Sequence, residues 1–477
     1  MHPDTPPNAW PIVLALAAAV AAALLVLAEP MLQDLVPHRS WQRLRLDGLP
    51  MRAVPLLLLL AIFAAAATIW LARTAPSVEA AFIVAALAAA QLNGFRVGPL
   101  DAFDMVIFGF FAVWLALRAL DPGYAVALPP VVLFGLGFLI LQLGHLVQQS
   151  SPVAWATGLF GMGRAVLVAL LDVNACREAR LLALFQRAFV LVATLSALVA
   201  IALFLIGLLA GIHFTLIVPA TEAFKPTPIG FVMRASGFCI TAQHLSGFLA
   251  FATPFALWRL SETWRLRDAL IVLVLWTGIL FSWNFGGIFA AAAIGLAFPF
   301  LRWPQLAIHF ALAGAAVGAA LYFSGYLQLL WDLTFGDNGV MKGVDQRMTL
   351  FRLGLEQIDR NPWVGTGLQG FTNVHGKCWH RPAHNLFGQA ASELGLAGAR
   401  LVLAMLVTLA TQATLLAAGP AGPERDLVRR IVLVLIGLAV LIQSEPMLDH
   451  ANTWLMLGFA QASVSLTALR REPQPAR

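Results

Sequence analysis

The stretch AVPLLLLLAIFAAAATIWLA, residues 53 to 72, decides the fold class, because no position in it carries a charged side chain. A helix of about 20 such residues crosses the roughly 30 Å hydrocarbon core of a bilayer. The apolar residues run continuously, whereas the strands of a transmembrane β-barrel alternate apolar and polar positions. Over the whole chain of 477 residues, 60% are hydrophobic and 11% are charged. We therefore predict an all-α polytopic membrane protein.

Similar apolar stretches recur along the chain, which has room for about fourteen spans. The candidate spans are residues 10–28, 53–72, 77–95, 101–119, 124–147, 153–172, 186–209, 240–257, 269–283, 285–301, 305–324, 384–415, 431–446 and 450–469. No internal duplication is visible, although many secondary transporters are built from repeated halves. We expect 12 to 14 transmembrane helices.

The arginines predict the orientation, since short cytoplasmic connections are enriched in basic residues. Four connections in the second half of the chain carry such clusters, namely Arg177 to Arg187, Arg259 to Arg267, Arg425 to Arg430 and Arg470 to Arg477. Alternation then gives N-terminal transmembrane helices (1–209), a first outer loop (210–239), central transmembrane helices (240–324), a long outer loop with short helices (325–383) and C-terminal transmembrane helices (384–477). We expect a multi-pass membrane protein.

The arginines near the start of the chain conflict with this alternation of spans. Counting back from the first cluster places the four arginines between residues 39 and 52 outside, against the positive-inside rule. One early apolar stretch therefore does not cross. The two suspects are 77–95, which ends in polar residues, and 153–172, which contains Arg164.

The distribution of charge and the cysteine spacing argue against a nucleic-acid partner and against a metal site. The charge of +6 comes from basic residues scattered over short connections, as in topology signals, so no nucleic acid is expected. Cys176, Cys239 and Cys378 lack metal-ligand spacing, so we expect no metal ion and no cofactor. Cys239 and Cys378 both lie in predicted outer segments, where the oxidising periplasm permits a disulfide if their Cα atoms come close enough.

The long loop and the following helix read DQRMTLFRLGLEQIDRNPWVGTGLQGFTNVHGKCWHRPAHNLFGQAASELGLAGARL, residues 345–401. Apolar residues from Gln346 to Ile358 recur near helical spacing, which predicts an amphipathic helix on the membrane surface. The dipeptide Asn361-Pro362 should end it. Three glycines between 365 and 370 form either a tight loop or a turn whose backbone approaches a ligand or another helix.

Four polar residues at the next helix are candidates for chemistry: His380, His384, Asn385 and Glu393. A histidine at a membrane interface can serve as a general base, because its pKa lies near neutrality. Alternatively, His384 or Asn385 only caps the helix. Glu393 would lie at the edge of the bilayer, where a carboxylate is a functional candidate.

Arg234, in VMRASGFCITAQHLSGFLAF, precedes a span on the predicted outer side. Its guanidinium suits a phosphate or diphosphate, although arginines near helix ends also extend to the interface without a ligand. Further polar residues of the spans either complete one outer site or pair inside the bundle. They are Asp104, Arg164, Gln243, His244, Asn284, Glu445, Asp449 and His450.

The run from DQRM to LQGF, followed by HRPAHNLFGQAASELGLAG, resembles the bacterial O-antigen ligase and O-antigen polymerase family. The shared pattern is an Arg-containing amphipathic stretch, an NPxxGxGxxxF turn, a His-Asn at a helix start and an ExGxxG downstream. The matching residues are Arg347, Asn361, Pro362, Gly365, Gly367, Phe371, His384, Asn385, Glu393, Gly395 and Gly398.

The resemblance implies a metal-independent membrane glycosyltransferase of the GT-C type. The glycan would move from undecaprenyl diphosphate to an acceptor sugar hydroxyl at the periplasmic face of the bacterial inner membrane, so that the two outer loops would be periplasmic loops. The acceptor is lipid A core for a ligase and another lipid-linked glycan for a polymerase. The resemblance also implies His384 as the base and Arg234, in RASGF, as the diphosphate ligand.

One departure from the family affects the donor site. Many members carry a second arginine in a Ser-Arg-Gly pattern, where this chain reads FSWNFGGIFA and places Asn284 or Phe285. Asn284 supplies no charge, so we expect Arg347, Arg352 or a loop lysine to complete the neutralisation. The expected substrate-binding residues are Asn385, Glu393, Arg352, His380, Asn284 and Glu445.

A second function class is a non-enzymatic transporter or flippase of lipid-linked glycans. It predicts a polar path through the bundle and paired halves. The polar residues instead concentrate in the predicted outer segments, which favours the enzyme. Either class would contact membrane lipid and a lipid-linked glycan.

Overall fold

The structure is a computed structural model that describes most of the chain beyond residue 76. The described residues are 77–93, 96–97, 100–120, 126–145, 152–210, 224–227, 230–237, 239–325, 343–368, 370–371, 385–443, 445, 448 and 450–471. The predicted spans 10–28 and 53–72 and the early arginines lie outside these residues, so those predictions remain open.

Helices make up most of the described chain. In order they are α1 (Val78–Ala90), α2 (Ala102–Leu120), α3 (Pro130–Gly144), α4 (Pro152–Ala175), α5 (Ala179–Ala210), α6 (Ala242–Thr263), α7 (Leu266–Phe281), α8 (Phe285–Arg302), α9 (Ala307–Phe323), α10 (Gly343–Arg360), α11 (Leu386–Ala417), α12 (Pro423–Leu441) and α13 (Ala451–Arg471). Two short antiparallel hairpins precede α2 and α6, namely β1 (Arg96–Val97) with β2 (Leu100–Asp101), and β3 (Phe224–Thr227) with β4 (Gly230–Met233). The sequence analysis did not predict these hairpins.

Length and composition allow four of the described helices to cross a membrane: Trp155–Ala175, Ala179–Leu205, Phe285–Arg302 and Leu386–Ala417. Large apolar side chains also face outward, such as Leu296 and Ile308, which are 71% and 74% exposed. Such surfaces suit lipid better than water. The chain is an all-α membrane protein, as predicted, and the total of 12 to 14 spans remains a prediction.

Helix lengths distinguish the two early stretches, 77–95 and 153–172, one of which is expected not to cross the membrane. The helix α1 has 13 residues and is capped by Ser77, whose hydroxyl accepts a hydrogen bond from the Ala80 N–H at 3.3 Å. At 1.5 Å per residue it is about 20 Å long, less than the roughly 30 Å hydrocarbon core. The helix α4 has 24 residues and is long enough. Of the two suspects, α1 is therefore the helix that is shorter than the hydrocarbon core.

The core lies where α4, α5, α6 and α13 meet. The rings of Phe185 and Phe459 stack with centroids 4.0 Å apart. At Gly458 a Cβ atom would lie 3.1 Å from the Cα of Ala169, so α13 and α4 approach closely. Small residues allow such close helix packing in membranes, where lipid tails remove the hydrophobic drive for association.

The two ends of the bundle differ in charge. At one end, here called the arginine end, lie the ion pairs Arg259–Asp268, Arg302–Asp426 and Arg470–Glu424, with N···O distances of 3.0, 3.9 and 3.1 Å. The opposite end, here called the loop end, holds the N-termini of α6, α8, α11 and α13. One residue from each of the four predicted arginine clusters, namely Arg187, Arg259, Arg430 and Arg470, lines one cavity at this end.

Candidate functional site

The first turn of α6 brings two histidines together at the loop end. The Thr241 hydroxyl accepts a hydrogen bond from the His244 backbone N–H at 3.3 Å and lies 2.7 Å from its ring Nδ1. The His244 ring stacks on that of His450, just before α13, with centroids 4.6 Å apart. Two groups that ordinarily titrate near neutrality are therefore adjacent. The sequence analysis named both histidines but had no signal that pairs them.

Arg234 lies between β4 and α6, against the C-terminal end of α7. Its Nε donates a hydrogen bond to the Ser282 carbonyl at 3.0 Å, and the Ala235 N–H donates to the Phe281 carbonyl at 2.9 Å. The carbonyls that end a helix favour a nearby cation. This contact fixes the guanidinium at the end of α7.

Asn284 lies at the start of α8, close to Arg234. Its Nδ2 donates a hydrogen bond to the Ser246 hydroxyl at 2.7 Å, and both side chains are buried. At Gly287 a Cβ atom would lie 2.5 Å from the Ser246 Cβ, so α6 and α8 touch here. The amide of Asn284 therefore joins two helices.

The predicted amphipathic helix on the long loop is confirmed as α10. Leu350 is buried against Phe371, whereas Phe351 is half exposed. The Asn361 N–H donates to the Gln357 carbonyl at 3.1 Å in the last turn, and Pro362 follows. The prediction that Asn361-Pro362 ends the helix is therefore confirmed.

Residues 361–368 interlock with residues 389–398 of α11, and we call this contact the loop–helix junction. Three backbone hydrogen bonds form it: Thr366 N–H to Ser392 C=O at 3.2 Å, Gly367 N–H to Glu393 C=O at 2.6 Å, and Leu396 N–H to Pro362 C=O at 2.8 Å. The NPxxGxG turn and the ExGxxG segment are thus two halves of one contact.

Two glycines make the junction possible. Gly365 and Gly395 both have φ of +69°, which side chains rarely adopt. A Cβ atom at Gly365 would lie 2.5 Å from the Glu393 carbonyl oxygen, and one at Gly395 would lie 2.3 Å from the Trp363 carbonyl oxygen. Of the alternatives for these glycines, the structure supports close approach to another helix.

The junction is also anchored to the end of α3. The Gln142 Oε1 accepts a hydrogen bond from the Leu368 N–H at 2.9 Å, and the His145 ring contacts the Val364 carbonyl through Nε2. Gln142 and His145 are buried. The sequence analysis missed both, although a polar residue at the end of an apolar span is a usable signal.

Asn385 caps α11, which confirms the capping alternative for this residue. Its Oδ1 accepts a hydrogen bond from the Gly388 N–H at 2.9 Å. Its Nδ2 donates to the Gln443 Oε1 at 3.2 Å, and the Leu386 N–H donates to the Ile442 carbonyl at 2.8 Å. The start of α11 is therefore fixed to the end of α12.

The structure describes some of the other expected site residues fully, one only in its backbone, and others not at all. Glu393 is buried in α11 and accepts a hydrogen bond from the Gln389 Nε2 at 3.2 Å. Glu445 is buried just beyond α12, and Arg352 is exposed on α10. Arg347 lies in α10, with its side chain outside the described part of the structure. The residues His380, His384, Cys378 and Asp449 lie outside it as well.

The charged residues Asp104 and Arg164 pair inside the bundle. The Asp101 and Asp104 carboxylates accept hydrogen bonds from each other's backbone N–H, at 3.0 and 2.8 Å, which caps α2. The Arg164 Nη1 donates to the Asp104 Oδ1 at 2.9 Å. This ion pair and its cap account for both charges as structural groups.

The Cys239 thiol is buried near α1. Its Sγ lies 3.4 Å from the Gln91 Oε1, to which it donates a hydrogen bond. Burial raises the pKa of Cys239 to about 12, which keeps the group a thiol. Among the described residues, no group of three His, Cys, Asp or Glu side chains is arranged to hold a metal ion.

The loop end as a whole presents one anchored cation, two stacked histidines and several buried amides to the same side of the bundle. No protein-family model and no curated protein sequence matches the chain. These groups lie at helix ends of both kinds: His244 in the first turn of α6, Asn284 at the N-terminus of α8, and Arg234 against the C-terminal carbonyls of α7. Such an arrangement suits an anionic substrate headgroup and proton transfer.

Proposed function

We propose that the protein is a metal-independent, GT-C-like glycosyltransferase of the O-antigen ligase or polymerase type. It would act at the periplasmic face of the bacterial inner membrane. The supporting observation is that Arg234 and the polar ends of α6, α8, α11 and α13 lie opposite the arginine end. By the positive-inside rule the loop end then faces the periplasm, where lipid-linked glycans are joined in the family that the sequence resembles.

In the proposed reaction, an acceptor sugar hydroxyl attacks the anomeric carbon of the lipid-linked glycan. The bond from that carbon to the diphosphate oxygen breaks, and undecaprenyl diphosphate leaves. His384 takes the proton of the attacking hydroxyl as general base. Arg234 stabilises the negative charge that grows on the leaving diphosphate, because a preorganised cation in a dry site acts strongly on such charge.

The contact between Arg234 and the Ser282 carbonyl supports this role, since it fixes the direction of the guanidinium before substrate binds. Asn284 is engaged with Ser246 and brings no charge. The remaining neutralisation therefore falls to Arg347 or Arg352 of α10. Arg352 is exposed and free to turn toward a substrate headgroup.

The loop–helix junction and the Asn385 cap support the role of His384 indirectly. The junction ties residues 361–368 to α11 at Ser392, Glu393 and Leu396, and the cap holds the first turn of α11 against α12. A base that follows the long loop needs such fixed neighbours, because small misplacements of a catalytic group reduce the rate strongly. Glu393 and Glu445 are both buried, and we propose them as substrate-binding residues.

The test is a transfer assay with the full chain in lipid nanodiscs. A synthetic undecaprenyl-diphosphate glycan and an acceptor are supplied, and mass spectrometry detects the new glycosidic product. The variants are His384→Ala and Arg234→Gln, with Arg180→Gln as a matched control, because Arg180 is exposed at the arginine end. We expect at least about a hundredfold loss for His384→Ala, since a general base contributes 10²–10⁴-fold. Full product from His384→Ala would refute its assignment as the base.

The acceptor class is settled by a deletion strain. Single lipid-linked repeat units in that strain indicate a polymerase, whereas unattached lipid-linked polymer indicates a ligase. A transporter would instead move labelled lipid across vesicles without forming glycosidic bonds. That result, with no product in the nanodisc assay, would replace the enzyme proposal.

A further inference from the structure

A cavity opens at the arginine end, on the side of the bundle away from the proposed glycosyltransferase site. Its volume is about 500 Å³, and it lies between α5, α6, α12 and α13. This volume lies in the range of small-molecule sites, about 300–1,000 Å³. The proposed transfer reaction makes no use of this cavity.

The cavity wall carries an excess of positive charge. Its charged residues are four arginines and two glutamates, namely Arg187, Arg259, Arg430, Arg470, Glu262 and Glu424. Arg259 is paired with Asp268 and Arg470 with Glu424, at 3.0 and 3.1 Å. Within the described part of the chain, neither Arg187 nor Arg430 has a carboxylate oxygen within 4.0 Å. Among the described residues, neither guanidinium therefore forms a direct ion pair, and Arg430 feels the charges of Glu262 and Asp426 only at longer range.

Arg430 is held in a fixed orientation by neutral groups. Its Nη1 donates a hydrogen bond to the Gln186 Oε1, and its guanidinium carbon lies 5.5 Å from the Trp258 ring centroid. The Arg302 guanidinium lies 5.0 Å from the same ring. Neither the amide nor the indole neutralises an arginine, so an anion in the cavity would relieve the repulsion between these cations.

The rest of the wall is mostly apolar, with Gln186, Thr263 and Thr467 as its uncharged polar residues. Leu182, Val190 and Phe255 line the cavity and are buried in the protein. Arg187, also in the wall, is exposed. A headgroup at the arginines would thus have apolar side chains beside it, against which an acyl chain can lie.

We propose that this cavity binds a phosphate group, carried either by an anionic phospholipid or by a soluble phosphate compound. The arginine fork matches phosphate oxygens in pairs. Basic pockets between transmembrane helices on the cytoplasmic side are suited to anionic lipid headgroups. The site is distinct from the proposed donor site, because it lies at the opposite end of the bundle.

The test uses the purified full chain and two probes. In one arm, native mass spectrometry and thermal unfolding compare nanodiscs of phosphatidylglycerol with nanodiscs of phosphatidylcholine. In the other arm, inorganic phosphate is titrated against chloride at equal ionic strength in neutral detergent. The variants are Arg430→Gln and Arg187→Gln, with Arg180→Gln as the charge-matched control. Arg180 lies at the same end, is exposed and does not line the cavity.

We expect a probe to raise the unfolding temperature of the wild type and of Arg180→Gln, and to bind about tenfold more weakly to Arg430→Gln. A rise with phosphatidylglycerol alone supports a lipid ligand, and a rise with inorganic phosphate supports a soluble one. Arg187→Gln keeps the test decisive if Arg430→Gln does not fold, because Arg187 is exposed. Equal responses of wild type and Arg187→Gln to both probes, or no response of the wild type, would overturn the proposal.

Discussion

Replacing Gly395 by alanine tests the loop–helix junction most directly. Gly395 has φ of +69° and ψ of −174°, a region that is essentially restricted to glycine. The added Cβ would lie 2.3 Å from the Trp363 carbonyl oxygen and 2.5 Å from the Val364 nitrogen. Both neighbours are backbone atoms, which no rotamer change can move away.

The cost has two parts. The backbone conformation costs about 1–3 kcal/mol for a residue with a side chain. Displacing the neighbouring backbone costs a further amount of about 1–3 kcal/mol, as overpacking does in cores. Gly395→Ala should therefore lower the free energy of unfolding by about 2–6 kcal/mol, and the apparent melting temperature should fall by at least about 2 °C.

The measurement is thermal unfolding in detergent at a fixed heating rate, followed by intrinsic tryptophan fluorescence. Gly109→Ala is the matched control, because a Cβ there meets nothing within 4 Å and the residue lies inside α2. The control should be neutral or stabilised by up to about 1 kcal/mol. If Gly395→Ala melts at the same temperature as the control, the junction does not hold residues 361–368 against α11.

Two further predictions concern the ends of the bundle. Burial raises the pKa of Asp268, but the Thr263 hydrogen bond and the charge of Arg259 outweigh burial and lower its pKa overall. The stabilisation that ionised Asp268 provides is therefore present above the pKa of this carboxyl group in the unfolded chain, about 4. It is lost as the pH falls through the lower pKa of Asp268 in the folded protein. Asp268→Asn should unfold more easily than wild type at pH 7, and the difference in melting temperature should shrink below pH 4. A constant difference across that range would contradict this assignment. At the loop end, Asn284→Ala should cost about 1 kcal/mol, because it leaves the buried Ser246 hydroxyl, which also donates to the Gln243 carbonyl, without its amide donor. A double-mutant cycle with Ser246→Ala, measured by thermal unfolding, should give a coupling energy of about 0.5–1 kcal/mol, and independent effects of the two substitutions would contradict the pairing.

Local sequence was sufficient for some parts of the site. The spacing of apolar residues from Gln346 to Ile358 predicted α10, and Asn361-Pro362 predicted its end, because a proline disfavours helix in the residue before it. The capping preference of asparagine predicted the role of Asn385. Each of these features depends on neighbours within one or two helical turns.

Other parts depended on residues far apart in the chain. The stack of His244 on His450 and the contact of Gln142 with Leu368 join segments that no local pattern connects. The ion pair of Arg164 with Asp104 was left open as functional or structural, and only the geometry showed the capping role of the carboxylate. Sequence reasoning could mark these residues as costly in a bilayer, but it could not choose their partners.

The sequence by itself determined that this is an all-α membrane protein, because continuous apolar stretches such as 53–72 are stable only as helices in lipid, where every backbone hydrogen bond must be made within the segment. It also located the arginine clusters, whose charges resist burial in the bilayer. Only the tertiary structure decided that Gly365 and Gly395 meet at one junction and that Arg187 and Arg430 line one cavity. Contacts between helices depend on shape and on which faces come together in three dimensions, and these are properties of the assembled bundle.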